Sequence, residues 1–241
     1  MQQYTEARMP LPSFVHQMKG GGGTLKQKKG FVWCVSHTPF AYDTALSLME
    51  AYRDAFDEKK VPPLVWLLTH TPVYTSGTSG GVDDFLEKNL DVPLIKTGRG
   101  GRVTYHGPGQ RMVYVVLPLA FFDNSLKGAV SFLGQWCTRA LGVLGVNAFF
   151  DAEQIGVWTS IKGQARKMAS LGLRVRKKVI YHGFCVNVAP DLRYFKQIRP
   201  CGLSGACVTS LKELGFDVQQ ASVDKALELV FFEKINETVR R

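Results

Sequence analysis

Cys201 stands between Pro200 and Gly202, with Ser204-Gly205 close behind, and this turn setting leaves its sulfur sterically open. The four other cysteines, Cys34, Cys137, Cys185 and Cys207, lie inside or beside apolar runs. A thiol near its reference pKa of about 8.5 is only ~3% thiolate at pH 7, so covalent chemistry at Cys201 requires a neighbouring base or cation. Lys167, where a polar hairpin turns into the apolar run Met168-Ala169-Ser170-Leu171-Gly172, is one candidate, because a buried lysine shifts readily toward its neutral, basic form. His70, His106 and His182, each beside glycine, proline or threonine in turn-like sequence, are rivals. The residue types also allow plainer roles: a cysteine that caps a turn as a small hydrophobe, and a lysine or histidine that is simply solvated.

A second chemical feature is Thr97-Gly98-Arg99-Gly100-Gly101-Arg102-Val103-Thr104-Tyr105-His106-Gly107-Pro108-Gly109-Gln110. Its glycines and proline mark a long ordered turn between two strands, in which the backbone can approach a ligand closely. It contains neither G-x-G-x-x-G opening a helix nor G-x-x-x-x-G-K-[ST], which argues against a phosphate cradle. Val103, Tyr105 and the apolar flanks suit a groove for an apolar chain, with backbone amides left to hold a carbonyl.

The elements that must position these groups follow from periodicity. Phe31 to Ser36 reads as a strand, Ala41 to Lys59 as a helix begun at Asp43 or Thr44, and Leu64-Val65-Trp66-Leu67-Leu68 as a strand buried on both faces. Pro93 to Lys96 leads into the glycine loop and Met112 to Leu119 leaves it. A helix over Leu126 to Leu144, a hairpin running into Lys167 to Val175, a strand over Val179 to Val188 and a terminal helix over Ser222 to Glu233 complete the chain. Strands and helices alternate irregularly, which predicts an α/β or α+β domain with a mixed sheet.

The 241 residues, 45% of them apolar, suffice for one large core. No apolar run approaches the ~18 residues of a membrane span, so a soluble protein is expected. Lys+Arg of 30 against Asp+Glu of 20 gives +10, favouring an acidic partner, yet no zinc-finger or aromatic RNA-binding pattern accompanies the charge. Five cysteines without metal-type spacing suit a reducing compartment and imply neither a disulfide framework nor a metal site. Residues 1–29, with the run Gly20 to Gly23, read as a flexible extension before a domain over 30–241; a cytoplasmic location is expected, and the acid-poor extension leaves a mitochondrial presequence as the alternative.

Three separated motifs then fall together: Arg99-Gly100-Gly101-Arg102-Val103-Thr104-Tyr105-His106-Gly107-Pro108-Gly109-Gln110; Lys167-Met168-Ala169-Ser170-Leu171-Gly172 with His182-Gly183-Phe184-Cys185-Val186-Asn187; and Pro200-Cys201-Gly202. With His70-Thr71-Pro72-Val73-Tyr74-Thr75-Ser76-Gly77 they resemble the octanoyltransferase, or lipoyl(octanoyl) transferase, family over about residues 31 to 215. The resemblance implies a single α/β domain like the catalytic domains of biotin and lipoate protein ligases, with a mixed central sheet flanked by helices and a smaller sheet. It implies Cys201 as acyl-accepting nucleophile and Lys167 as its activator, and it assigns substrate binding to Arg99, Gly100, Gly101, Arg102, Val103, Thr104, Tyr105 and His106, to Ser170, Leu171 and Gly172, and to Gly183, Phe184 and Cys185. Cys185 stands where the family commonly has a small residue such as alanine, and the hairpin over Thr159 to Arg166 is longer than usual.

The resemblance further implies transfer of an octanoyl group from octanoyl-acyl carrier protein to a lysine of lipoyl domains, those of 2-oxoacid dehydrogenase E2 subunits and of the glycine cleavage H protein. No metal, nucleotide or redox cofactor is expected, because a thioester already carries the activation. A monomer that binds neither nucleic acid nor membrane is expected as well. The alternative is an ATP-dependent ligase of the lipoate or biotin type, which would need nucleotide and Mg²⁺ and no Cys201.

Overall fold

The computed structural model describes residues 9–87, 90, 92–200 and 207–239. The chain begins with a short helix, α1 (Ser13–Gln17), and a strand, β1 (Thr24–Lys28), that turns at Lys29 and Gly30 into β2 (Phe31–Val35). Helix α2 (Tyr42–Asp57) crosses over to β3 (Leu64–Leu68), and β4 (Val73–Ser76), β5 (Leu94–Lys96) and β6 (Val103–His106) follow. The long strand β7 (Gln110–Pro118) precedes α3 (Leu126–Val143), after which come β8 (Phe149–Asp151), β9 (Gly156–Ile161), β10 (Gln164–Arg176) and β11 (Val179–Asn187). A single turn of helix, α4 (Arg193–Lys196), and the terminal helix α5 (Gln220–Val239) end the fold.

Eight strands form one sheet in the order β1-β2-β3-β7-β11-β10-β9-β8, and three form a second in the order β5-β4-β6. Only β2 with β3 and β4 with β5 run parallel; the other named pairs are antiparallel. The β2–α2–β3 unit explains the first parallel pair, since a crossover helix is what returns the chain in the same direction. The mixed sheet with a smaller companion is the α/β arrangement expected from the sequence.

Both faces of the large sheet are covered. On one face Trp33, Trp136 and Phe231 join Ile180, Phe184 and Val186 under α3 and α5; on the other Trp66, Tyr181 and Cys185 pack under α1 and α2. Full burial of each such large side chain contributes about 1.5–3 kcal/mol. Arg111 on β7 is wholly buried and forks onto Asp224 of α5, both bonds 2.7 Å, which ties the terminal helix to the sheet. A third apolar cluster holds Tyr74, Val103 and Tyr105 of the small sheet against Phe195, Ile198 and Val208.

Three expectations need correction. Over residues 9–28 the extension is not flexible: β1 pairs with β2 along its whole length, and Val15 and Met18 are fully buried. The alternating exposure of β1, with Lys26 and Lys28 outward, is that of a charged edge strand. The glycine loop is not turn throughout, because Val103–His106 pairs with β4. Helix α2 starts at Tyr42 without a side-chain cap, one residue ahead of Asp43. Among the described residues no helix is long and apolar enough to cross a membrane.

Candidate active site

Lys167 lies on β10 at a register shift against β9, where Lys167 pairs with Trp158 and Ala169 with Val157. Such a bulge re-aims a side chain. Lys167 is 2% exposed; its Nζ donates to the Ile155 carbonyl at 3.0 Å and lies 4.9 Å from the centre of the Trp158 ring. Gly156 makes this possible, because a Cβ there would collide with the Lys167 side chain at Cε. The turn that presents Ile155 is itself fixed: Asp151 accepts from the Glu153 and Gln154 amides, and Trp158 Nε1 donates to the Gln154 carbonyl at 3.0 Å. Lys167 is therefore buried and held, and the reading of a solvated strand end is set aside.

Cys201 lies outside the described residues, as do Gly202, Ser204 and Gly205. The described chain is anchored on both sides of it, and Ile198 before it and Val208 after it share one apolar cluster. Before it, Phe85 bridges to Ile198 and the Arg199 amide donates to the Asp84 carbonyl at 2.7 Å. After it, Val208 bridges to Lys167, and the Thr209 amide donates to the Lys167 carbonyl at 2.9 Å. Asn187 completes the second anchor, with its amide nitrogen on the Thr209 carbonyl at 3.0 Å and its Oδ1 accepting from Gln110 at 2.9 Å.

Three residues along β10 from Lys167, Ser170 enters the lining of a cavity of about 50 Å³ on the sheet face under α2. Its floor descends in rows set by strand register: Met112, Cys185 and Ser170; then Tyr114, Gly183 and Gly172; then His182, opposite Leu173. Arg99, Gly101 to Thr104 and His106 form the facing wall. Of the residues expected to bind substrate, two fall elsewhere. Gly100 lies in an adjoining groove of about 600 Å³, which shares Gly101, Arg102, Leu171 and Gly172 with the cavity and is edged by Leu126 and Ile155. Tyr105 turns the other way, stacking on Tyr194 at 4.4 Å, since neighbouring residues on β6 face opposite sides.

Arg99 is committed to its own loop. Its Nη2 donates to the Thr75 carbonyl at 2.8 Å, to Thr75 Oγ1 at 2.7 Å and to the Arg102 carbonyl at 2.9 Å, while Nη1 donates to the Gly100 carbonyl at 3.0 Å. Arg102 pairs outward with the buried carboxylate of Asp84 at 3.1 Å, which links the glycine loop to the segment preceding Cys201.

All three histidines considered as bases are buried, and desolvation lowers each: His70 to about 4, His182 to about 3, and His106 well below the usual range. They are neutral at pH 7. His70 is fully engaged, with Nδ1 donating to the Phe40 carbonyl at 3.1 Å and Nε2 accepting from the Tyr114 hydroxyl at 2.7 Å. His106 Nδ1 meets Gln110 Oε1 at 3.2 Å, and because the Gln110 amide donates to Asn187 and to the Tyr105 carbonyl, the imidazole is the donor.

A model of the lipoyl protein ligase A/B catalytic domain matches residues 41–232. The octanoyltransferase of Wolbachia pipientis wMel is 40% identical over 201 residues, 83% of this chain and 97% of that protein. That of Nitrobacter hamburgensis is 42% identical over 207 residues, 83% and 85% of the two chains. The chain belongs to the octanoyltransferase family. It is an acyltransferase. The fold extends further: a bipartite lipoate protein ligase of Thermoplasma acidophilum superposes with a TM-score of 0.63 at 17% identity, over 84% of this chain and 83% of that one. Lipoate-protein ligase A bound with ATP superposes with a TM-score of 0.59 at 17% identity, over 77% and 79%.

Within this octanoyltransferase-family chain the structure adds lining residues that the sequence did not single out. Tyr42, Met112 and Tyr114 reach the cavity through α2 and through β7 register, and no motif marked them. His182 was considered as a base and opened one of the resemblance motifs, but was not assigned to substrate binding. The signal that could have raised it is the pair His182-Gly183 inside an apolar strand, since a glycine there marks a local irregularity.

Proposed function

We propose that this enzyme transfers an octanoyl group from the thioester of an acyl carrier protein to a lysine of a lipoyl domain, through an acyl-enzyme on Cys201. The observation that carries this reading is the buried, held Lys167, to which the chain following Cys201 is bonded, three residues along β10 from Ser170 of the cavity wall, in a chain 40% identical to an octanoyltransferase.

In the first half-reaction Cys201 Sγ, having given its proton to Lys167 Nζ, attacks the thioester carbonyl. The carrier thiol leaves and takes up that proton, and the octanoyl group remains as a thioester on Cys201. In the second the acceptor lysine, as a neutral amine, attacks this thioester; its proton passes through Lys167 to the departing Cys201 sulfur, and the product is an amide. The hydrogen bond to Ile155 fixes Nζ for both transfers. The acyl chain lies in the cavity, and its burial contributes up to about 5 kcal/mol at ~0.8 per methylene. The +10 charge favours encounter with an acidic carrier, an effect that weakens with salt.

Intact-protein mass spectrometry tests the proposal. Incubation with octanoyl-carrier protein is expected to add one octanoyl group to the wild type and none to Cys201→Ser, with Cys185→Ala acylated normally. Octanoylation of a lipoyl domain by Cys201→Ser at the wild-type rate, dependent on ATP and Mg²⁺, would instead establish an adenylating ligase.

A further inference from the structure

His182 interrupts β11 with a left-handed backbone, φ +67°, in the middle of an otherwise regular strand. Strand alternation would send its ring toward α3 with Ile180 and Phe184. The left-handed conformation turns it to the opposite face, where it stacks on Tyr181 at 5.0 Å and meets Tyr114 edge-on at 6.0 Å. A non-glycine residue in this region is strained, and strain of this kind persists where the surrounding structure imposes it at functional positions.

What the turn achieves is to put a polar group in the cavity. His182 is 2% exposed and Thr104 7%; both line the cavity, and neither ring nitrogen of His182 nor Thr104 Oγ1 has a hydrogen-bond partner among the described residues. The neutral imidazole offers one donor and one acceptor, and the hydroxyl offers both. Buried groups of this kind are ordinarily satisfied by ordered water. One water needs ~10–15 Å³, a fraction of the cavity's 50 Å³.

The place of His182 along the sheet gives the function. Leu173, the strand partner of His182, is three residues beyond Ser170, the first β10 residue of the cavity, roughly 10 Å at ~3.3 Å per residue and about the length of an extended eight-carbon chain. An acyl chain attached beside Lys167 and running down the rows from Ser170 and Cys185 through Gly172 and Gly183 brings its terminal methyl toward His182.

We infer that His182 and Thr104 hold water in the acyl cavity, with His182 at the end away from Lys167, and thereby set the upper limit of chain length. A chain that ends short of this water leaves its hydrogen bonds intact. A longer one must displace it with methylenes that cannot replace those bonds, and such displacement loses affinity. The limit is thus polar as well as steric. It rests on the acyl transfer proposed above.

The test compares kcat/KM for hexanoyl, octanoyl, decanoyl and dodecanoyl thioester donors in the wild type, His182→Leu, His182→Asn and Thr104→Val. The decanoyl-to-octanoyl ratio is expected to rise about tenfold in His182→Leu and several-fold in Thr104→Val, on the scale a pocket discriminates one or two methylenes. His182→Asn, which keeps a polar group and tolerates left-handed φ, is expected to hold the wild-type ratio. Thr104→Val, nearly isosteric and suited to a strand, carries the test if His182→Leu does not fold. An unchanged ratio in Thr104→Val, or the same rise in Asn as in Leu, would overturn the inference. The melting-temperature increments given by free hexanoate to dodecanoate should show the same limit without any transfer, so a preserved length limit alongside absent acyl transfer would refute the Cys201 mechanism and leave the limit standing.

Discussion

Lys167 and Thr209 are joined backbone to backbone, the Thr209 amide on the Lys167 carbonyl at 2.9 Å, and Asn187 holds the Thr209 carbonyl from the other side at 3.0 Å. The chain after Cys201 is thereby fixed to the lysine proposed to activate it. Replacing Asn187 by leucine leaves the buried Thr209 carbonyl without its Asn187 donor, a cost of about 1–3 kcal/mol, and takes one of two acceptors from the Gln110 amide, which keeps the Tyr105 carbonyl. Chemical denaturation of Asn187→Leu should show that loss. Single-turnover acylation at a temperature where the variant is folded should fall at least tenfold, with little change in octanoate binding.

Gly156 tests the seat of Lys167. Its φ is not in the left-handed region, so alanine is compatible with the local backbone conformation, and the severe obstacle is the lysine side chain, with the Ala169 carbonyl a lesser one at 3.2 Å. Gly156→Ala is expected to push Nζ away from the Ile155 carbonyl, costing about 1–3 kcal/mol in stability as an overpacked site does. Acyl-enzyme formation should drop far more than the melting temperature suggests; unchanged acylation would show that the observed position of Nζ is unimportant.

Arg99 makes a different prediction from that of a substrate-binding arginine. Its guanidinium grips Thr75, Gly100 and Arg102, so lysine, which keeps the charge and loses the fork, should loosen the wall of the cavity. Arg99→Lys is expected to raise KM for the donor several-fold and to increase proteolytic nicking between residues 97 and 103. An arginine that bound a substrate carboxylate would leave the nicking rate unchanged.

Much of the architecture was legible because local pattern and tertiary burial agree. Leu64 to Leu68 is apolar throughout and is buried on both faces, and α2 and α3 carry their apolar residues at helical spacing. Strand β6 was hidden because Val103 to His106 sits among glycines, and β1 because an edge strand of alternating lysines carries no core signal. At the site, Ser170 to Gly172 and Gly183 to Cys185 were legible only through the family resemblance. Met112 and Tyr114 reach it because β7 pairs with β11 in one particular register, and the inward ring of His182 depends on a single backbone angle. Neither is written in local composition.

The buried histidines predict how stability varies with pH. Unfolded imidazoles titrate near 6.5, whereas burial lowers His70 to about 4 and His182 to about 3 in the folded protein. Between these values the unfolded chain binds protons that the folded one refuses. The stabilisation is therefore complete above about pH 6.5 and is lost as pH falls toward 4, at up to about 1.4 kcal/mol per pH unit for each histidine. Urea denaturation between pH 7.5 and 5 should show this slope, and His182→Asn should flatten it.

Lys167 can donate to the Ile155 carbonyl as an ammonium or as a neutral amine, so geometry admits either a cation that stabilises the Cys201 thiolate or a base that creates it. The proposed two-step proton transfer requires the base. Removing the side chain in Lys167→Ala should abolish acyl-enzyme formation, and small primary amines added to the buffer should restore part of it, more strongly for the more basic amines at a fixed concentration of free base. Guanidinium, which carries the charge without accepting a proton, should not. Rescue by guanidinium equal to that by methylamine would assign Lys167 the electrostatic role alone, and the proton would then have to leave Cys201 by another route.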